Sequence, residues 1–363
     1  MIIHSRFKDY TVQFHDDLLF VHDFGEQPNT FYVVDRKVYD LYYNQLFSGL
    51  SNDKLLLIDA SEENKVLDSA MAICERMTEI PAKRNALLIS FGGGIIQDIT
   101  GFAANILYRG INWIYIPTTL LAACDSCIGG KTSLNYKQYK NLLGTFYPPD
   151  VIHICPVFFQ TLSERDYKSG MGEVVKFNVM QGIEGLENIE NNMDALLVRK
   201  EDILKRFTLS SLTYKKAFIE EDEFDKGERI KLNFAHTFGH AIETISSYDI
   251  PHGTAVAIGT IMANTISLCR GILSAAIAER ITNVLLKIID IDIDESIFES
   301  DRYIKAMRKD KKQTGDQLTA ILLDNKGELQ IFRDICKEEV ELAIRNFLMR
   351  RNKYIAKERG VML

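Results

Sequence analysis

Three of the chain's seven histidines, His236, His240 and His252, fall within the stretch LNFAHTFGHAIETISSYDIPHG. His236 and His240 stand four residues apart and so share one face of a helix. His252 begins a second apolar segment after the loop SSYDIP, which folds it back towards the first. Upstream, GEVVK offers Glu173 as an oxygen ligand, with Lys176 one helical turn further on. Two imidazoles, a carboxylate and an open position form a common catalytic zinc arrangement. Singly, each histidine reads as a capping or surface residue; clustered in apolar helical contexts, the three read as a metal site. Spacing leaves open which two of the three ligate.

Cationic residues surround other motifs. The stretch DSCIGGKTSLNYKQYKNLLGTFYPP carries Asp125, Lys131, Lys140 and Asn141 about a Gly129-Gly130 pair, and Lys215 and Arg229 precede the histidine helix. Lys137 reads as part of a solvated face. Lysines and arginines gathered around a metal suit a phosphorylated, carboxylated substrate. FGGGIIQD follows an apolar run and opens a helical pattern, so backbone N–H groups can meet a pyrophosphate at the positive end of a helix. The spacing G-G-G-x-x-x-D is not the G-x-G-x-x-G fingerprint, and three glycines also make a plain tight turn. Together with Asp35, an acid at a strand end that suits a ribose hydroxyl, the turn favours a dinucleotide.

These residues need a scaffold. Phe31–Asp35, Leu55–Asp59, Ala86–Phe91 and Asn112–Pro117 read as strands separated by helices, which implies a parallel sheet covered on both faces. Beyond Leu162 helical patterns dominate: Arg165–Met180, Asn188–Phe218, Arg229–Ser247, Thr254–Arg270 and Ser274–Ile289. A hairpin, Leu318–Leu323 with Leu329–Phe332, turns at DNKG, and a helix closes the chain. The expected fold is α/β, with a Rossmann-like N-terminal domain at residues 1–162 and a mainly α-helical metal-binding domain at 163–363.

The 363 residues suit two domains, and 46% apolar with 26% charged residues is ordinary for a globular protein. A net charge of −7 argues against nucleic acid or an anionic membrane as partner. No membrane span or signal layout stands out, which implies the cytoplasm. The six scattered cysteines then stay reduced. Cys124-x-x-Cys127 has no second pair to complete a thiolate zinc site, and reads as two small buried residues around Asp125.

From about Asp35 to Gly327 the chain resembles the 3-dehydroquinate synthase family of sugar phosphate cyclases. The motifs are GGG-x-x-x-D, YRG, PTTLLA, DSCIGGKT, KNLLGTFYPP, GEVVK, GERIKLNFAHTFGHAIE, HG and DKK, in matching order and spacing. The resemblance implies NAD, bound by Asp35, Glu62, Lys65, Gly93, Gly94, Ile95, Asp98, Thr118 and Thr119. Asp125, Lys131, Lys140, Asn141, Phe158 and Thr161 would also lie at the nucleotide. It implies Glu173, His236 and His252 as ligands of Zn2+ or Co2+, which leaves His240 for the substrate. Asp125, Lys131, Asn141, Lys176, Lys215, Arg229 and Asn233 would contact that substrate as well. Arg109 would reach a neighbouring subunit's substrate in a homodimer, and Lys311 or Lys312 would close the site. The implied reaction converts a seven-carbon 3-deoxy-sugar acid phosphate to dehydroquinate.

Gln97, Cys127, Asn178 and Ala235 depart from the family pattern, the last standing where LNxGHT expects glycine. YYNQL, GTFYPP and KSGMGEVVKFNVM are also similar to the deoxy-inosose synthases of the same superfamily. The alternatives are therefore another cyclase, for an inosose or an amino-sugar phosphate, and a metal-dependent polyol dehydrogenase. The dehydrogenase has no use for Lys131, Lys176, Lys215 and Arg229 together.

Overall fold

The computed structural model describes residues 1–24, 29–80, 83–137, 139–309 and 317–360. The chain forms two compact units, one of Met1–Leu162 with Leu204–Phe224, the other of Ser163–Ile203 with Asp225–Leu363.

The first unit is built on a seven-stranded sheet. Its elements in chain order are β1 (Ile2–Ile3), β2 (Tyr10–Phe14), β3 (Thr30–Asp35), α1 (Arg36–Tyr42), β4 (Leu55–Ile58), α2 (Leu67–Glu79), β5 (Leu87–Gly92), α3 (Gly94–Ile106) and β6 (Asn112–Pro117). A hairpin of β7 (Lys131–Tyr136) and β8 (Tyr139–Phe146) follows, then β9 (Val151–Ile154). The strand order is β1-β2-β9-β6-β5-β3-β4, parallel throughout except for β1 against β2. Thr30–Val34 and Leu88–Gly92 are buried without alternation, as expected of strands covered on both faces. Sequence patterning missed β2, β9 and the β7–β8 hairpin.

The register brings the loops that matter to one edge. Gly92 pairs with Pro117 and Val34 with Phe91, so the glycine turn, Thr118-Thr119 and Asp35 share the carboxyl ends of adjacent strands. That edge is where open parallel sheets bind ligands.

The second unit is helical: α4 (Glu164–Val179), α5 (Gly182–Leu197) and the start of α6 (Glu201–Glu221), which from Leu204 onward belongs with the first unit. Then come α7 (His236–Ile245), α8 (His252–Cys269), α9 (Ala275–Leu286), α10 (Ser300–Arg308), the β10 (Leu318–Leu323) and β11 (Leu329–Ile335) hairpin, and α11 (Lys337–Glu358). α8 is buried on every side from Gly253 to Ser267, and α4, α7, α9 and α11 all pack on it. Two glycines set its approach to α4. A Cβ added at Gly172 would collide with the Gly253 carbonyl, and one at Gly253 with the Ser169 carbonyl. The Gly253 N–H donates to Ser169 Oγ at 3.1 Å across the same contact.

Two expected helices are each broken. Arg199, at φ 57°, separates α5 from α6 where one helix over 188–218 is expected. The stretch 229–247 is a 3₁₀ turn, Glu228–Asn233, followed by α7. Ala235 divides them at φ 69°, ψ −19°, the left-handed conformation that a glycine takes without cost. That conformation explains why a glycine suits this position. Among the described residues no helix is long and apolar enough to cross a membrane.

Candidate active site

Three helices of the second unit deliver the predicted ligands. Glu173 lies in α4, and His236 and His252 are the first residues of α7 and α8. Glu173 is fully buried. Its Oε1 stands 3.6 Å from His236 Nε2 and 3.3 Å from His252 Nε2, and its Oε2 stands 2.6 Å from Lys176 Nζ. Among the described residues neither carboxylate oxygen accepts a hydrogen bond of sound geometry, so the buried charge is balanced by cations rather than by hydrogen-bond donors. The three ligand atoms lie within 4.8 Å of one another. Ligands about 2.1 Å from a tetrahedral zinc stand roughly 3.4 Å apart, so the separations fit such an ion.

The ring orientations fit it too. His236 Nδ1 is 3.0 Å from the Phe234 carbonyl, and His252 Nδ1 is 3.2 Å from Glu243 Oε2. Each acceptor holds the proton on Nδ1 and leaves the Nε2 lone pair for a metal. Burial opposes charging of His252, but Glu243 and Glu173 outweigh it and push its pKa up to about 10. The pocket thus favours a positive charge between these carboxylates. His240 is half-buried beside the cluster, its ring centroid 5.3 Å from that of His236 and 6.1 Å from that of His252.

Lys176 is held by Glu173, by the Leu232 carbonyl at 3.2 Å and over the Phe177 ring at 4.5 Å. Arg229 and Asn233 share the 3₁₀ turn before α7, where Arg229 is buried and Asn233 Nδ2 donates to the Ile230 carbonyl at 2.9 Å.

In the first unit the strand edge carries a polar network. Lys65 Nζ meets Asp98 Oδ2 at 2.5 Å and Asn141 Oδ1 at 2.7 Å. Asp98 also accepts from the Ser133 amide and hydroxyl, each at 3.0 Å. Asn135 Nδ2 donates to Glu62 Oε2 at 2.9 Å, and Lys140 Nζ lies 3.2 Å from the same oxygen. Burial raises the Asp98 pKa, against the pull of Lys65. Lys215, on α6, donates to Asp125 Oδ1 at 2.8 Å and to the Asp125 carbonyl at 2.6 Å. The lysines here are therefore matched by carboxylates rather than forming a bare cationic array.

At the glycine turn a Cβ on Gly93 would lie 2.9 Å from Thr119 Cγ2. The Thr118 amide donates to the Gly92 carbonyl at 3.0 Å. Gly94 and Ile95 form the first turn of α3, whose N-terminal amides suit an anion. Asp35 caps α1 by accepting from the Lys37 amide, and burial raises its pKa. Thr161 Oγ1 contacts Tyr42 Oη at 3.1 Å, and Phe158 is buried against the same tyrosine. Lys131 opens β7 on an exposed surface. Arg109 is exposed within Tyr108-Arg109-Gly110, three successive residues with positive φ. Lys311 and Lys312 lie outside the described residues.

Cys124 and Cys127 are buried and unbridged, and burial pushes the Cys127 thiol up to about 12, which keeps it protonated and weakly nucleophilic.

Residues 55–169 match the family description "3-dehydroquinate synthase N-terminal", and residues 170–313 match "3-dehydroquinate synthase C-terminal". A 3-dehydroquinate synthase of Campylobacter concisus is 38% identical over 319 residues, covering 87% of this chain and 90% of that protein. The chain belongs to the 3-dehydroquinate synthase family. A bifunctional 3-dehydroquinate synthase/phosphatase of Fusobacterium nucleatum is 36% identical over 90% of this chain, which spans 48% of that longer protein. Among solved structures, a 2-deoxy-scyllo-inosose synthase complexed with carbaglucose-6-phosphate, NAD+ and Co2+ aligns with a TM-score of 0.81. It is 26% identical and covers 95% of this chain and 99% of its own.

Against the family motif HTFGHAIE, sequence reasoning assigned His236 and His240 and passed over Glu243. The signal was present, since Glu243 follows His240 by three residues and shares its helical face. Ser133 and Asn135, which tie Asp98 and Glu62 to the hairpin, were also missed. Gln97, another departure from the pattern, is buried and exchanges hydrogen bonds with the Ser126 carbonyl and hydroxyl, each at 2.7 Å. Its amide thus ties α3 to the segment that carries Asp125.

Proposed function

We propose that the chain catalyses the cyclisation of 3-deoxy-D-arabino-heptulosonate 7-phosphate to 3-dehydroquinate, with release of phosphate, using NAD and a divalent metal. The carrying observation is the buried Glu173 carboxylate, without hydrogen bonds among the described residues, facing two imidazole Nε2 atoms and the Lys176 ammonium. On this reading Glu173, His236 and His252 hold Zn2+ or Co2+. NAD belongs to the first unit, at the turn of Gly93, Gly94 and Ile95 and at Asp35, Glu62, Lys65, Asp98, Thr118 and Thr119. Lys140, Asn141, Phe158 and Thr161 complete that group. The division of labour falls near residue 162.

When bound, NAD supplies a temporary hydride acceptor and the metal polarises an alcohol or ketone oxygen, so the overall reaction is redox-neutral. The chain's own residues bind and orient. Lys176 and Arg229, both buried, offer fixed positive charge to a phosphorylated acid, and desolvation makes such charges strong. Asp125 holds the Lys215 ammonium in one position, so less entropy is lost when an anion arrives. His240, in the same cluster but outside the ligand triad, is placed to contact substrate and exchange a proton with it, and Asn233, Asp125, Lys131 and Asn141 serve as polar contacts. Exposed Arg109, on its positive-φ turn, suits contribution to a partner subunit's substrate in a homodimer. A phosphorylated substrate fits a cytoplasmic enzyme.

The test is direct. Protein supplied with NAD and Zn2+ should release inorganic phosphate from the heptulosonate phosphate without accumulating NADH. Steady NADH formation from a polyol, with no phosphate, would overturn the reading in favour of a dehydrogenase. Turnover of glucose 6-phosphate in preference to the heptulosonate would assign the chain to inosose synthesis instead.

A further inference from the structure

The two histidines at the metal site are oriented by different means. His236 Nδ1 faces a backbone carbonyl, that of Phe234, at 3.0 Å, which no substitution removes. His252 Nδ1 faces a side chain, Glu243 Oε2, at 3.2 Å. Glu243 stands on α7 one turn beyond His240, with a largely buried side chain, so it reaches across to the first residue of α8. His252 has the less protected ring of the pair, its side chain 31% exposed against 11% for His236. It is also the first residue of its helix. Its imidazole would otherwise present either nitrogen to Glu173.

We infer that Glu243 is a positioning residue: by accepting the Nδ1–H of His252 it fixes the tautomer and ring angle that present Nε2 to a cation at Glu173. This inference rests on the proposed metal-binding role of Glu173, His236 and His252. Glu243 belongs equally to a second group of possible donors, with His240 and His252. In that group it would be a ligand of another ion. The orienting role is favoured because its carboxylate already engages His252 Nδ1, and a ring oriented through one nitrogen ligates best through the other.

The experiment compares wild type with Glu243→Ala, Glu243→Gln and Glu173→Gln, each stripped with chelator and retitrated with Zn2+ against a chromogenic competitor. Partners of this kind typically set metal affinity by 10–100-fold. Glu243→Ala should therefore weaken binding by about 10–100-fold at an unchanged stoichiometry of one, with Glu243→Gln in between because its amide oxygen still accepts the Nδ1–H. The Co2+ forms of wild type and Glu243→Ala should differ in their visible absorption, since a loosened ligand changes the coordination geometry, while both metal-free proteins remain folded with the same circular dichroism. Equal affinity and identical spectra in Glu243→Ala and wild type, with binding lost in Glu173→Gln, would overturn the orienting role and leave the metal site standing. A fall in stoichiometry from two to one in Glu243→Ala would make Glu243 a ligand and overturn it as well. If Glu173→Gln bound Zn2+ like wild type, the underlying metal reading itself would fail.

Discussion

Replacing Glu173 by glutamine tests how the site stores charge before any metal arrives. Glu173 is fully buried and Lys176 1% exposed, with 2.6 Å between Oε2 and Nζ. At that distance and an effective dielectric near 20 the gross attraction is about 6 kcal/mol, most of it offset by desolvation. Removing one partner strands the other, which costs about 3–5 kcal/mol for a buried pair. In chelator-treated protein, Glu173→Gln should thus lose about 3 kcal/mol, because among the described residues Lys176 keeps only the Leu232 carbonyl and the Phe177 ring. Lys176→Met should lose a similar amount. The double variant should lose far less than the two together, leaving a coupling of about 2–3 kcal/mol. Urea unfolding of the four proteins measures this. Added Zn2+ at about a thousandfold its Kd should then stabilise wild type by about 4 kcal/mol and Glu173→Gln hardly at all. Losses that simply add, within about 0.5 kcal/mol, would refute the coupling.

Three further outcomes follow from other parts of the chain. Ala235→Gly relieves a left-handed alanine, worth about 1–2 kcal/mol, less what glycine loses in unfolded-state freedom; a net gain of about 0.5–1 kcal/mol should appear as a raised melting temperature. Asp98→Ala frees Lys65 and both Ser133 donors from one carboxylate and should weaken NAD binding by about 10–100-fold, read by calorimetry. His153 is buried against Phe20 and beside His15, and burial depresses its pKa to about 4 from an ordinary 6.5. The unfolded chain therefore binds that proton first, so this stability is whole above the unfolded value and is lost as pH falls through the folded one. Urea unfolding should show a loss of about 2 kcal/mol between about pH 7.5 and 5, removed in His153→Gln.

The parts of this fold that showed in the sequence are those with one dominant physical cause. β3, β4, β5 and β6 are continuous apolar runs because both sheet faces are covered, and the GGG turn has no side chains to disguise it. What stayed hidden depends on partners distant in the chain. β2 is five residues long and β9 four, and each becomes a strand by pairing with the other across more than a hundred residues. The β7–β8 hairpin alternates apolar positions with Ser133, Asn135 and Asn141, whose side chains hold the Lys65 and Glu62 network, so its polar pattern reads as a loop. The break before α7 lacked a proline or glycine because alanine occupies the left-handed position there.

The metal cluster was legible for a different reason. Two of its three ligands are histidines, of which the chain has only seven, and both stand at helix starts, where the chain emerges from a turn. The sequence shows that these groups exist; their separations come from packing that carries no chemical label. Gly172 and Gly253 let α4 and α8 meet backbone to backbone, and Ala235 turns the chain so that α7 begins at His236. Glu243 follows the same rule. Its spacing from His240 puts it on the right face, but only the approach of α7 to α8 puts His252 within its reach. A ligand set can thus be read from composition and order, whereas the residues that aim it become visible once the helices are packed.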